Sequence, residues 1–271
     1  MKDRAMGWLL ALLAGLLSAC ATVAPPSAAP VGSADQAVRT WATVLNRFVD
    51  EQGEVDFAAL ARDRSDLDRY VRYIAETPLE SVQDGPSRLA HMINAYNALS
   101  MFNVVASGIP QSHAGFNKVG FFVLRRLTIG GRSLSLRSFE NDVIRPYAIA
   151  RGDPRIRFAL NCSARACPVL PRTPFSSAAL DAELEREKHA FFGGPINFRV
   201  DTAARTVWLS ELLDFYPEDF VPVPVPVPVL APSLLAFANR YAPPAAPPDY
   251  KVFFTSFDWT VANSGRPAAA R

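Results

Sequence analysis

Hydrophobic residues recur at helical spacing from residue 34 to residue 50. The apolar positions are Val38, Trp41, Val44, Leu45 and Phe48. Residues three or four apart share one face of a helix, so this spacing predicts an amphipathic helix. Residues 60–75 repeat the pattern with charged side chains mostly outward, which predicts a second helix.

The longest apolar stretch of the folded part, residues 87–107, predicts a buried central helix. Between Leu89 and Asn117 the chain has no Asp, Glu, Lys or Arg, and apolar residues occur on every side of the predicted helix. A helix that is apolar all round is buried. The polar residues His91, Asn94, Asn97, Ser100 and Asn103 interrupt the stretch. We therefore expect the core of a globular domain rather than a membrane span.

Beyond residue 119 the pattern changes to short apolar runs separated by turn residues. Gly130-Gly131 divides residues 120–129 from 132–136, and a polar turn divides 196–200 from 206–209, so two hairpins are expected. Further predicted elements are strands over 155–160 and 252–257 and helices over 138–148 and 177–192. Because no regular alternation of strand and helix occurs, the predicted class is α+β, with a central buried helix and a small, mostly antiparallel sheet.

Residues 221–232 alternate proline with apolar residues. Proline fixes φ and removes a backbone donor, which favours a polyproline-type extension and excludes a central strand. We interpret the segment as a stiff excursion on the surface of one domain spanning residues 34–262. A docking peptide for a partner is the alternative interpretation.

The first twenty residues, MKDRAMGWLLALLAGLLSAC, have the pattern of a secretory signal. A basic start precedes an apolar run that is too short to span a membrane. The sequence Leu17-Ser18-Ala19-Cys20 resembles the lipobox of bacterial lipoproteins, which implies cleavage before Cys20 and lipidation (palmitate included) of its thiol. A plain secretory signal with an incidental cysteine is the alternative.

Residues 20–33 and 263–271 are interpreted as a Pro-rich tether and a flexible tail. By resemblance to Gram-negative sorting rules, the absence of Asp just after Cys20 favours the periplasmic face of the outer membrane. The formal charge of the chain is +2, which gives no indication of a nucleic-acid partner. The expected partners are the membrane, through the N-terminal lipid, and an envelope protein.

Cys162 and Cys167 are the first candidates for chemistry. Four intervening residues allow the chain to fold back to disulfide distance, and an oxidising compartment favours pairing. A reactive thiol or labile redox pair is the alternative, in which either cysteine is the nucleophile. A zinc site is disfavoured because the three histidines are distant in sequence.

Asn94, Asn97 and Glu140 are candidate binding residues. The two asparagines are three apart and share a helix face, so they either tie loops to the central helix or line a polar cleft. Tyr96 is expected to lie in the core. His91, His113 and His189 are the available bases for a thiol enzyme. No phosphate-binding glycine loop or paired-histidine helix occurs, so no cofactor or metal is expected.

The residues that carry a family resemblance run in order from about residue 40 to residue 262. They are Ile93–Leu99 (INAYNAL), Leu134–Leu136 with Glu140, the block from Asp153 through Cys162 and Cys167 to Leu170, Phe215-Tyr216, Asp219-Phe220, and Phe257–Trp259. In this order they resemble the domain-of-unknown-function family 547, which has no settled activity. A fainter similarity to papain- and transglutaminase-like folds concerns the fold alone.

Three positions depart from the family pattern. Members often carry Trp at the position of Met92, and His at the positions of Asn141 and Arg157. If those histidines act as acids or bases, this chain has lost both, which disfavours hydrolysis. The sequence therefore favours an envelope lipoprotein that acts as a binding or scaffold module. A thiol-dependent enzyme acting on envelope amide, peptide or disulfide bonds is the alternative.

Overall fold

The computed structural model describes residues 22–221, 227–242 and 244–265. Cys20 and the expected signal segment lie outside these residues. The class is α+β, as predicted: helices surround one long buried helix, and two separate three-stranded sheets lie beside them. Among the described residues, no helix combines the length and apolarity that a membrane crossing requires.

The helices begin with α1 (Ala34–Phe48), α2 (Phe57–Arg62) and α3 (Ser65–Glu76). The Ser33 side chain accepts a hydrogen bond from the Gln36 amide and so caps the start of α1. Trp41 of α1 stacks on Tyr70 of α3 at 5.4 Å between ring centroids. Both side chains are buried, so this contact joins the two amphipathic faces that the sequence predicts.

Helix α4 (Pro86–Ala106) is the predicted central helix. Pro86 occupies its first turn, where a missing amide donor has no consequence. The helix is buried from Leu89 to Val104 apart from the partly exposed His91. Its buried polar side chains form hydrogen bonds with neighbouring segments, and this fixes those segments in place.

The first sheet has the order β1 (Thr22–Val23), β2 (Arg126–Ile129) and β3 (Arg132–Ser135). Strands β2 and β3 form the first predicted hairpin, and both turn glycines have positive φ (56° and 78°), as a type I′ turn requires. Strand β1 is parallel to β2. Within the expected tether, Thr22 and Val23 therefore pair with the domain, because an extended chain can pair with the exposed edge of β2.

The second sheet has the order β4 (Phe198–Asp201), β5 (Thr206–Ser210) and β6 (Lys251–Thr255). Strands β4 and β5 are antiparallel and form the second predicted hairpin, whereas β6 is parallel to β5. The expected last strand is therefore present. The C-terminal residues Asn263 and Ser264 contact Val55, so the start of the expected flexible tail is joined to the domain.

The remaining helices lie between and after the sheets. Residues 116–124, here α5, comprise Phe116–Val119 and a π-helical turn Gly120–Leu124. Residues 136–149, here α6, comprise Leu136–Ser138, the π-helical Phe139–Ile144 and Arg145–Ile149. Later helices are α7 (Leu180–Gly193), α8 (Leu212–Phe215) and α9 (Val227–Ala238), with 3-10 turns at Leu79–Ser81, Pro154–Phe158 and Pro217–Asp219.

Three predictions of local structure are wrong. Residues 155–160 are not a strand, because Asp153 caps a 3-10 turn that starts with Pro154. Residues 120–124 are helical rather than extended. Residues 227–232 are helical rather than polyproline-like, although Pro232 lies inside the helix. Burial of Leu234, Leu235 and Phe237 in the core stabilises α9 against the unfavourable proline; residues 222–226 lie outside the described residues.

The core consists of two hydrophobic clusters. The first surrounds α4 and includes α1–α3, the first sheet and α6. The second contains Phe158, Phe191 and Phe192, the second sheet and α9. The loop with Cys162 and Cys167 belongs to the second cluster, whereas Leu160 just before it belongs to the first. This loop therefore lies where the two clusters meet.

Candidate functional site

A cavity of about 690 Å³ lies at the meeting point of the two clusters. Its volume is in the range of small-molecule sites. Its lining comes from α4, α5, α6, the disulfide loop, α8 and the segment after β6. The lining includes the candidate residues Glu140, Cys162 and Cys167, but not Asn94 or Asn97.

Arg157 forms the charged floor of this cavity. Its side chain is only 2% exposed and contacts two acidic side chains, Glu140 of α6 and Asp219 of the 3-10 turn after α8. The Arg157 Nε–Asp219 Oδ2 distance is 2.5 Å. A buried charge needs such compensation, because desolvation otherwise makes it strongly unfavourable. Both acidic residues lie at positions that carry the family resemblance, but the sequence pattern does not predict that one arginine joins them.

A second arginine extends the network toward the rim. Arg145 of α6 lies 2.6 Å from Asp219 and 3.2 Å from Glu218. Asp219 is thus held by two guanidinium groups. The acidic pair 218–219, which has no obvious role in the sequence, connects the second cluster to α6.

Two tyrosines complete the floor. The Tyr96 hydroxyl donates a hydrogen bond to Glu140 Oε2 at 3.1 Å, and the Arg157 guanidinium lies 3.6 Å from the Tyr216 ring centroid. Tyr96 is buried, as predicted, but it also lines the cavity, which was not predicted. Each polar group of the floor is therefore fixed by a neighbour.

Burial dominates the acid–base properties of these groups. Desolvation raises the pKa of Glu140, while the Arg157 charge and the Tyr96 hydrogen bond oppose that change. Burial, with the Glu140 charge, raises the pKa of Tyr216 to about 12 and that of Tyr96 well above its ordinary value. Both tyrosines consequently remain neutral donors near neutral pH.

Aromatic side chains form one wall of the cavity. Phe257 and Trp259 lie 4.4 Å apart between ring centroids, and Phe215 stacks on Trp259 at 6.2 Å. Lys118 of α5 places its Nζ 4.0 Å from the Trp259 ring centroid. The wall thus combines a large apolar surface with one cation.

Cys162 and Cys167 form the predicted disulfide, with their Cα atoms 5.9 Å apart. The Asn161 side chain shapes the loop, because it donates to the Pro168 carbonyl and accepts from the Ser163 amide. Backbone bonds from Arg165 and Ala166 to residues 260 and 258 attach the loop to the chain after β6. Both cysteines border the cavity as a disulfide.

Asn94 and Asn97 tie loops to α4. Asn94 donates to the Phe175 carbonyl and accepts from the Phe175 amide, at 2.8 and 2.9 Å. Asn97 donates to the Ala159 carbonyl and accepts from the Asn161 amide. Each side chain forms a pair of hydrogen bonds with backbone groups, so of the two expected roles the structure shows the one in which the asparagines tie loops to the helix. Asn97 lies directly behind the disulfide loop and positions it.

None of the three histidines lines the cavity. Burial lowers the pKa of His91 and of His113 to about 4. The His113 ring packs 3.9 Å from the Phe121 ring, and His189 lies near Glu185 on α7. Across the described residues, no three His, Cys, Asp or Glu side chains are grouped as metal ligands.

Comparison with known proteins identifies part of the chain. Residues 80–192 match a family model described as a protein of unknown function, DUF547. These residues belong to DUF547. The matched segment of DUF547 includes α4, α6, Arg157 and both cysteines of the disulfide, so most of the cavity floor lies inside it. No curated protein and no solved structure matches the chain significantly, and the papain-like similarity is not confirmed.

Asn141 and Arg157, the two positions at which the family resemblance leads us to expect histidine, lie side by side. Arg157 Nη2 donates to Asn141 Oδ1 at 3.3 Å. The sequence analysis named both positions but did not place them in contact. The sequence did contain a signal of their proximity, because a shared site would explain why both positions depart from the family pattern.

We predict that Arg157→Met destabilises the protein by about 3–5 kcal/mol at pH 7, because it leaves Glu140 and Asp219 without their shared cation. Desolvation already raises the pKa of Glu140, and loss of the Arg157 charge removes a contribution that opposes this change, so the stability of the variant falls as pH rises above the ordinary carboxyl pKa. The destabilisation should therefore be smaller at pH 5. Urea unfolding at both pH values measures it.

Arg205→Met is the matched control for this measurement. Arg205 pairs with Asp249, but both side chains are at least 60% exposed. Exposed pairs contribute about 0–1 kcal/mol, so this variant should unfold close to the parent. Equal destabilisation by the two substitutions would show that the buried ion pairs contribute no more to the free energy of unfolding than an exposed pair does.

Proposed function

We propose that the protein is a lipid-anchored bacterial envelope protein whose cavity binds a small amphiphilic anion. The proposed binding role is supported by the cavity itself. Acidic and basic side chains pair with each other on its floor, and aromatic side chains form one wall. Such a lining is typical of a preformed ligand site. The anchor is supported by the lipobox-like sequence that ends at Cys20.

The charges of the cavity favour an anionic group on the ligand. The lining has four basic side chains and three acidic ones, Glu140, Asp142 and Glu218, of which Glu140 and Glu218 are paired with Arg157 and Arg145. Lys118 and Arg137 line the cavity, are exposed, and form no ion pair within the described residues. A ligand with an apolar or aromatic part for the wall and a negative group for these cations satisfies both features.

Binding is favoured over thiol catalysis by the state of the cysteines. A nucleophilic cysteine requires a free thiolate and a nearby base. Here the sulfurs are joined, and the three histidines lie away from the cavity lining.

The anchor predicts that the full chain, expressed in a Gram-negative host, incorporates labelled palmitate and fractionates with the outer membrane. Cys20→Ala should abolish the label and release the protein from the membrane fraction, because no other thiol is positioned for lipidation. Gel autoradiography and density-gradient fractionation measure both effects. A Cys20→Ala chain that keeps the label would contradict the anchor.

The cavity predicts binding of 8-anilinonaphthalene-1-sulfonate, an anionic aromatic probe, with affinity reduced about threefold in Lys118→Gln through loss of the wall cation. Fluorescence titration measures the affinity. Lys251→Gln is the matched control, because Lys251 Nζ lies 4.9 Å from the Phe253 ring but not in the cavity. A similar decrease in both variants would exclude the cavity as the probe site.

A second candidate function is thiol–disulfide exchange. It is favoured by one observation: Cys162 is only half-buried, and both cysteines border the cavity. Iodoacetamide labelling of the native protein after mild reduction by glutathione distinguishes the two functions. A structural disulfide should stay unlabelled until denaturation and reduction, whereas rapid alkylation of one cysteine below pH 7 would support exchange.

A further inference from the structure

Helix α5 leaves one apolar face uncovered. Phe116, Val119 and Val123 are 96%, 45% and 43% exposed. Their spacing of three and four residues places them on one side of the helix. The opposite side is occupied, because Phe121 is buried against His113. We call Phe116, Val119 and Val123 the α5 face.

The chain segment that carries this face and continues beyond it is rich in basic residues. Between residues 116 and 139 the basic residues are Lys118, Arg125, Arg126, Arg132 and Arg137, and there is no Asp or Glu. None of these basic side chains forms an ion pair in the part of the chain that the structure describes. An apolar face with unpaired cations beside it is the composition of helices that lie in an anionic membrane interface.

The point at which the N-terminal segment joins the domain lies next to this face. Thr22 pairs with Arg126, which is two residues beyond the last residue of α5, Leu124. Strand β1 runs parallel to β2, so the chain reaches Thr22 from the side of Leu124. Cys20 is two residues earlier, and two residues span at most about 7 Å. A lipid on Cys20 would therefore enter the bilayer close to α5.

The α5 face is also continuous with the cavity. Val119 and Val123 line it, as does Lys118, which directly precedes Val119 in the helix. Phe215, on the aromatic wall, is itself 37% exposed. Whatever covers the α5 face therefore lies at the mouth of the cavity.

We propose that the α5 face docks on the surface of an anionic phospholipid bilayer and turns the cavity mouth toward the lipid. This inference rests on the proposed anchor, because the anchor brings the face to the membrane. A bilayer suits the α5 face better than a protein partner, since its anionic headgroups match the row of unpaired cations. Docking deepens the proposed function: the ligand would be an amphiphile taken directly from the lipid phase.

The test uses the purified full chain reconstituted in phosphatidylethanolamine–phosphatidylglycerol vesicles. A bimane label is attached at Val119→Cys in one sample and at Val38→Cys in the other, without reductant, so that the disulfide stays closed. Val38 is the matched control, because it is a valine 41% exposed on α1. Quenching by doxyl-labelled phospholipids should be several-fold stronger at position 119 and should weaken in vesicles lacking phosphatidylglycerol.

The intact mass of each sample reports lipidation of Cys20 separately. A lipidated chain with equal quenching at both positions overturns docking and leaves the anchor standing. An unmodified Cys20 overturns the anchor. Selective quenching at 119 in a Cys20→Ala background, where position 119 is the only free thiol, then leaves docking standing. Protection of the 119 label from aqueous iodide without quenching by doxyl lipid would show that protein, such as a second copy of the chain, covers the face, and would overturn lipid docking.

Discussion

The two hydrophobic clusters of this structure are joined by the ion pairs that compensate the charge of one buried arginine. Arg157 sits in a 3-10 turn between the hydrophobic clusters, with Glu140 from the α4–α6 side and Asp219 from the α8 side. Hydrophobic packing alone has no direction, whereas a desolvated ion pair tolerates little displacement. The relative placement of the clusters, and with it the shape of the cavity between them, therefore depends on this contact.

Around that fixed floor, the polar residues of α4 act as supports rather than as contacts for a ligand. Asn97 holds the backbone at Ala159 and Asn161, on either side of the single residue that leads into the disulfide loop. Because an unpaired buried amide is strongly unfavourable, these bonds fix where the loop begins. The disulfide then fixes where it ends, so both sulfurs stay at the cavity edge.

Much of the fold follows from local pattern. The buried α4, both hairpins and the disulfide could be predicted, since apolar periodicity, paired turn glycines and cysteine spacing act over short distances. Residues 155–160 were assigned wrongly because the local cap of Asp153 before Pro154 was overlooked. Residues 227–232 could not be predicted, because burial of α9 overrides the unfavourable propensity of proline there. For the site, Glu140 and the cysteines were identified, but the Arg157–Asp219 contact spans 62 residues and leaves no periodic signal in one sequence.

The contact between Asn141 and Arg157 decides which chemistry the floor can support. Histidine, which DUF547 members often carry at these positions, changes charge near neutral pH and can transfer protons. Arginine stays charged under all ordinary conditions and asparagine does not titrate. With Tyr96 and Tyr216 also kept neutral by burial, the groups around Glu140 donate hydrogen bonds or hold charge, but do not exchange protons near pH 7. A floor of fixed charge would orient a bound ligand, and this is the physical argument behind the proposed binding role.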